Sequence, residues 1–139
     1  MPARLEALAP QPGNLGFMLR PTRHEQARAI LDRQAAQLAS KILERRAVSA
    51  ADYAEAFNVE RIDLITEIST PAALLALGRN VVGPRDGLYI LDDGGSYRVY
   101  VQERGVSFDE LIGATFDQAR DAAADRIIML QGLPCTPPG

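Results

Sequence analysis

The chain has 139 residues, 47% hydrophobic and 24% charged, with a formal net charge of −3, which fits one domain able to bury about two-thirds of its unfolded surface. That charge disfavours a nucleic-acid binder and suits a basic partner. A single cysteine, Cys135, and a single histidine, His24, exclude a disulfide framework and a zinc site built within the chain.

Residues 1–20 hold three prolines and two glycines and read as an extended arm, with Phe17-Met18-Leu19 as an apolar end that can dock on the body. Thr22 and Glu25 have capping-box spacing and start a helix. From Ala27 through Ile30, Leu31, Ala35, Leu38, Ala39, Ile42 and Leu43 an apolar stripe recurs at three-four spacing, broken only by Gln34. It predicts one amphipathic helix of about 24 residues, whose stripe could hold a second copy of the chain. Ser49 with Asp52 starts another helix carrying Tyr53, Ala56 and Phe57, which Asn58 interrupts before Val59 to Ile65 resumes. Thr70-Pro71 pairs a cap with an N1 proline for a helix over Ala72 to Leu77, ended by Gly78.

Asn80 to Arg85 connects this half to a hairpin. Leu88 to Leu91 and Tyr97 to Gln102 alternate as its arms, and Asp92-Asp93-Gly94-Gly95 supplies a turn that tolerates positive φ. Val106 to Ala114 follows as a third strand beside Tyr97–Gln102, with Gly113 suggesting a bulge or a close approach. Thr115 or Asp117 caps a last helix through Ala119, Ala122, Ala123, Ile127 and Leu130, stopped by Gly132. The expected organisation is α+β: a helical N-terminal half, then a small antiparallel sheet covered by a C-terminal helix. The domain spans 21–132, and 133–139 (LPCTPPG) form a mobile tail.

No catalytic constellation emerges, so the expectation is a non-enzyme without cofactor or metal. His24 sits in the first turn of a helix, where a positive charge is disfavoured. Asp92 and Asp93 precede glycines, as hairpin turns prefer for backbone reasons, and a calcium loop's alternating oxygen ligands are missing. GRNVVG, residues 78–83, lacks the Lys-Ser/Thr of a phosphate loop. Ala54 to Leu64 has helix-turn-helix spacing, which raises a DNA-binding antitoxin or regulator using residues 49–68 as an alternative. That stretch holds five acids and one base, a sign that phosphates repel. A secretion chaperone using the first helix's stripe is a further alternative. No apolar run approaches the roughly 18 residues of a membrane span, and MPARLEALAPQPGN lacks the apolar core of a secretory signal, so a cytoplasmic location is expected.

The run Tyr97-x-x-Tyr100-x-x-Glu103-Arg104-Gly105, followed by Phe116-Asp117 and Ala119 or Ala122, resembles a signature of small immunity proteins encoded beside bacterial polymorphic or contact-dependent toxins. Several such families end in a strand of Y-x-x-Y-x-E-R-G type, then a further strand, a Phe and an acidic Ala-containing helix. This chain departs by one residue in the Tyr-to-Glu spacing, and the likeness spans about residues 86–131. The resemblance implies an inhibitor for interbacterial competition that binds a cognate toxin and occludes its active site. The contacts it points to are Asp92, Asp93, Tyr97, Tyr100, Glu103 and Arg104, with Asp109 and Glu110 behind them. Tyr and Arg often anchor interfaces, and an acidic inhibitor gains association rate on a basic toxin. Against this, Tyr97 or Tyr100 could pack under the last helix, and Arg104 could pair with Glu103 or Asp109.

Overall fold

The computed structural model describes residues 20–134. The arm expected over 1–20 lies outside them except for Arg20, as does the expected tail from Cys135 onward. Helix α1 (Arg23–Leu31) begins at a reciprocal capping box in which Thr22 Oγ1 accepts from Glu25 N–H at 3.1 Å and Glu25 Oε1 from Thr22 N–H at 2.8 Å. It does not run on to residue 45. Arg33 turns left-handed at φ 63°, and α2 (Ala35–Leu43) starts afresh after it.

The break replaces the single 24-residue helix, and its stabilisation comes from the far end of the chain. Gln131 Oε1 accepts from Ala35 N–H at 3.2 Å, while its Nε2 donates to Ile30 O at 2.7 Å. One amide side chain thereby satisfies a donor freed at the start of α2 and a carbonyl at the end of α1. The stripe itself goes into the core, since Ala27, Ile30, Leu31, Ala35 and Ala39 are buried within the chain. The face expected to hold a second copy, or an effector, is largely spent.

Ser49 and Asp52 form the box that opens α3 (Ala50–Ala56), and α4 (Arg61–Glu67) follows the interruption at Asn58. Buried Gln26 fixes that interruption: Nε2 donates to Asn58 Oδ1 at 2.7 Å and to Pro21 O at 2.9 Å. Its Oε1 accepts from the N–H groups of Asn58 and Val59 at 3.0 and 3.1 Å. All four of its hydrogen-bonding positions are used, as a buried amide requires. Thr70 caps α5 (Pro71–Leu75), with proline in the first turn as expected.

Strands β1 (Gly87–Asp92), β2 (Tyr97–Glu103) and β3 (Val106–Ala114) form an antiparallel sheet in the order β1-β2-β3. The expected α+β architecture is present. Helix α6 (Phe116–Leu130), boxed by Thr115 and Gln118, covers one face of the sheet. Ala119, Ala122, Ala123, Ala124 and Ile127 bury against a core that includes Leu88, Ile90, Val99 and Val101. Short alanine side chains let the helix axis lie close to the strands. Gly132, at φ 71°, ends the helix as expected. Leu133, expected in the mobile tail, instead packs against the core, its N–H bonded to Ile128 O at 3.1 Å.

The other face carries a smaller cluster of Tyr89, Leu91 and Tyr100. The two tyrosine rings stack with centroids 4.9 Å apart. Residues 83–85 lie beside this cluster: Tyr89 Oη is 2.7 Å from Arg85 O and 3.0 Å from Gly83 O. Gln102 Nε2 donates to the same two carbonyls at 3.0 and 2.7 Å. The outward edge of β1 is closed as well. Arg79 N–H bonds Leu88 O, Ile90 N–H bonds Arg79 O, and Asn80 Nδ2 donates to Ile90 O, each at 2.9 Å.

Candidate functional site

β3 is where the sheet stops being symmetrical. One of its edges pairs with β2, and no strand among the described residues pairs with the other. Its register is broken twice: Val101 faces Phe108, Val99 faces Leu111 and Tyr97 faces Ala114. Asp109 and Glu110 therefore oppose Tyr100 together, and Ile112 and Gly113 together oppose Arg98. The expected bulge at Gly113 is present (φ 70°), and a second one sits at Asp109 (φ 54°). Aspartate is among the few side chains that tolerate this conformation. Arg126 on α6 holds the bulge from below, donating its Nε–H to Asp109 O at 3.1 Å and a terminal N–H to the same oxygen.

Bulges re-aim side chains and interrupt a flat edge. On this strand Val106, Phe108 and Ile112 are exposed by 64%, 38% and 68%. The strand carries two acids and no base. Val106 and Phe108 pair with Glu103 and Val101 on the α6 face, whereas Asp109, Glu110 and Ile112 oppose Tyr100 and Arg98 on the other, so the last strand exposes apolar groups on both faces and its acids on one.

The eight residues singled out from the sequence do not form one cluster. Asp92, Asp93 and Tyr97 lie at the β1–β2 turn, and Glu103 with Arg104 at the β2–β3 turn, roughly 20 Å away at ~3.3 Å per residue. Asp92 Oδ1 accepts from Gly94 N–H at 2.8 Å, a local turn bond. Asp93 grips Arg98 through two bonds of 3.2 and 3.3 Å, which raises the pKa of that guanidinium further. Tyr97 is half-buried and meets Phe116 of α6 edge-on at 6.5 Å, the packing foreseen for one of the two tyrosines.

Tyr100 is only 5% exposed, so its ring is structural and not available to a partner. It faces away from α6, against Tyr89. Burial pushes its pKa up, and the neighbouring Tyr89 and the Glu110 carboxylate act in the same sense against Arg98. Arg104 occupies a left-handed turn position (φ 52°), and its N–H binds Asp86 Oδ1 at 2.9 Å. The pairing of Arg104 with Glu103 or Asp109 is not formed. Only Asp109 and Glu110 lie on β3.

Val106, Phe108 and Ile112 were not singled out from the sequence. For Ile112 the signal was the imperfect alternation of VSFDELIGA, because a bulge changes the facing of the residues after it; Val106 and Phe108 precede both bulges. No protein-family model, curated protein or solved structure matches the chain.

The helix-turn-helix-like segment is committed elsewhere. Arg61, the one base of residues 49–68, pairs with Asp125 at 2.6 Å, and Asp63 pairs with Arg23 at 2.9 Å. Glu67 contacts His24 and lies 3.9 Å from Arg28. The outward residues of α4 are then Ile62 and Thr66, which offer phosphates no charge. Among the described residues no three His, Cys, Asp or Glu side chains are grouped to hold a metal ion. Nor is any helix among them long and apolar enough to cross a membrane.

Proposed function

We propose that this protein is a binding protein of the immunity type, which neutralises a cognate toxin or effector domain by covering its active site with the bulged β3 edge. The observation that carries the reading is the unpaired, bulged β3 edge, with Val106 and Phe108 exposed on one face and Ile112 exposed beside Asp109 and Glu110 on the other. An apolar patch rimmed by charge marks a docking surface. Its acidity, with the net charge of −3, favours a basic partner and speeds the encounter.

A second copy of this chain fits less well. Antiparallel self-pairing about the middle of β3 sets Glu110 close to its own counterpart, and like charges directly across strands destabilise the pair. The bulges also confine any strand-to-strand ladder to the short stretch of residues 106–108, so side chains carry the contact. Asp92, Asp93 and Glu103 sit at the ends of the sheet, where they add steering more than contact energy.

The test is a titration of the full chain against the C-terminal domain of the protein encoded immediately upstream. Tight one-to-one binding that restores growth to cells making that domain is expected. Ile112→Asp should weaken it by about 30-fold, the scale of one interface hot spot, and Asp109→Lys with Glu110→Lys should weaken it more. Binding that ignores all three changes, or none to that domain, overturns the reading.

A further inference from the structure

The sheet edge opposite β3 borders a groove that the docking surface does not use. It has a volume of about 650 Å3 and lies between α1, α5 and the start of β1. Its accessible apolar lining is Ala76, Leu77 and Leu130 over buried Leu31, Ile68 and Leu88, and its rim bears Arg28, Arg33 and Arg79 with Asp32, Glu67 and Asp86. Small-molecule pockets share this size, and here charged groups line the groove as much as apolar ones.

The charges on the rim are not evenly matched. Asp86 Oδ1 accepts from Arg104 N–H, and Glu67 is shared between His24 and Arg28. Arg79 Nε–H donates to Asp86 O at 3.0 Å. Arg33 is held by neutral acceptors alone: its terminal nitrogens donate to Leu31 O at 2.7 Å and Leu77 O at 2.6 Å. Among the described residues no carboxylate lies within ion-pairing distance of it.

The backbone accepts a left-handed φ of 63° to place this side chain, an uncommon conformation for arginine. The residue is exposed, yet the protein packed around its guanidinium pulls the pKa down, outweighing the opposite effect of Asp32. Asp32 acts on this cation from beyond ion-pairing distance, and its direct partners are neutral carbonyls. A guanidinium has five N–H donors; two reach carbonyls, and the remainder can take a forked anion.

We propose that this groove binds a small amphipathic organic anion, its carboxylate or phosphate head on Arg33 with Arg28 beside it, its apolar body on Ala76, Leu77 and Leu130. The site is independent of the docking surface on β3.

Calorimetric titration of the full chain with octanoate, octyl phosphate and octylammonium tests it. Both anions should bind one-to-one, the tighter of them naming the head group, and octylammonium at least about tenfold more weakly. Arg33→Gln should weaken both anions about tenfold or more, the loss of one charge-assisted contact, and leave octylammonium unchanged. Arg28→Gln, on an exposed side chain, gives the same direction should Arg33→Gln not fold. Asp109→Lys with Glu110→Lys, at the far edge, should leave anion binding unchanged, which separates failure here from failure of the docking reading. Equal binding of octanoate and octylammonium, no binding of either anion at millimolar concentration, or full affinity in both arginine variants overturns the proposal.

Discussion

Replacing Gln131 by alanine removes two hydrogen bonds at once. The side chain accepts from Ala35 N–H at 3.2 Å and donates to Ile30 O at 2.7 Å, and both residues are buried. A buried polar group left without its partner costs about 1–3 kcal/mol. Ala35 N–H is left without a partner, whereas Ile30 O keeps the Arg33 N–H at 3.0 Å, so the expected loss is about 1–3 kcal/mol, a large share of the ~5–15 kcal/mol that holds a domain together. Gln131→Glu should be no better, because a carboxylate can still accept from Ala35 but turns a lone pair toward the Ile30 carbonyl. Equilibrium unfolding in urea measures both, with the midpoint falling and the slope unchanged. A loss below about 0.5 kcal/mol, the lower bound of one net hydrogen bond, would refute the reasoning. So would a rise in far-UV helicity, which would mean that α1 and α2 fuse once the amide is gone.

Gly78→Ala should destabilise by roughly 1–3 kcal/mol, since its Cβ would lie 2.9 Å from Leu88 O and 3.0 Å from Ile90 Cγ1; Gly83→Ala, with nothing within 4 Å, is the matched control in the same thermal melts. The N–H of Val48 and the Arg45 guanidinium lower the Asp52 pKa from 3.8 to about 2. Its unfolded state therefore binds the proton first, so the contribution is complete above about pH 4 and disappears as pH falls toward 2; Asp52→Asn should flatten that acid limb of stability. Tyr89→Phe and Gln102→Leu should each cost little, because either side chain can serve the carbonyls of Gly83 and Arg85. Together they should cost about 1 kcal/mol beyond the sum, and strict additivity in a double-mutant cycle would sink this account.

Much of the architecture can be read from local rules. Thr22 with Glu25, Ser49 with Asp52, Thr70 before Pro71 and Thr115 each start a helix where the side-chain chemistry says, and β3 has the bounds its residues suggest. What resists such reading is decided by distant partners. The break after Leu31 has no glycine or proline to announce it, and depends on Gln131 at the other end of the chain. Tyr100 looks like an exposed strand aromatic until Tyr89 stacks on it and residues 83–85 pack beside that pair. At the candidate site Asp109 and Glu110 are legible as acids, but the exposure of Ile112 beside them is not, because a bulge changes the facing of every residue beyond it.

The contrast between the two rims of the sheet bears on how the molecule behaves when concentrated. Stacking strands into a filament needs a sticky rim on each side of every unit. Arg79 and Asn80 have used up the outward backbone groups of Leu88 and Ile90, so growth in that direction is barred. A strand added at β3 would find no matching open rim at Leu88 and Ile90 from which the sheet could continue.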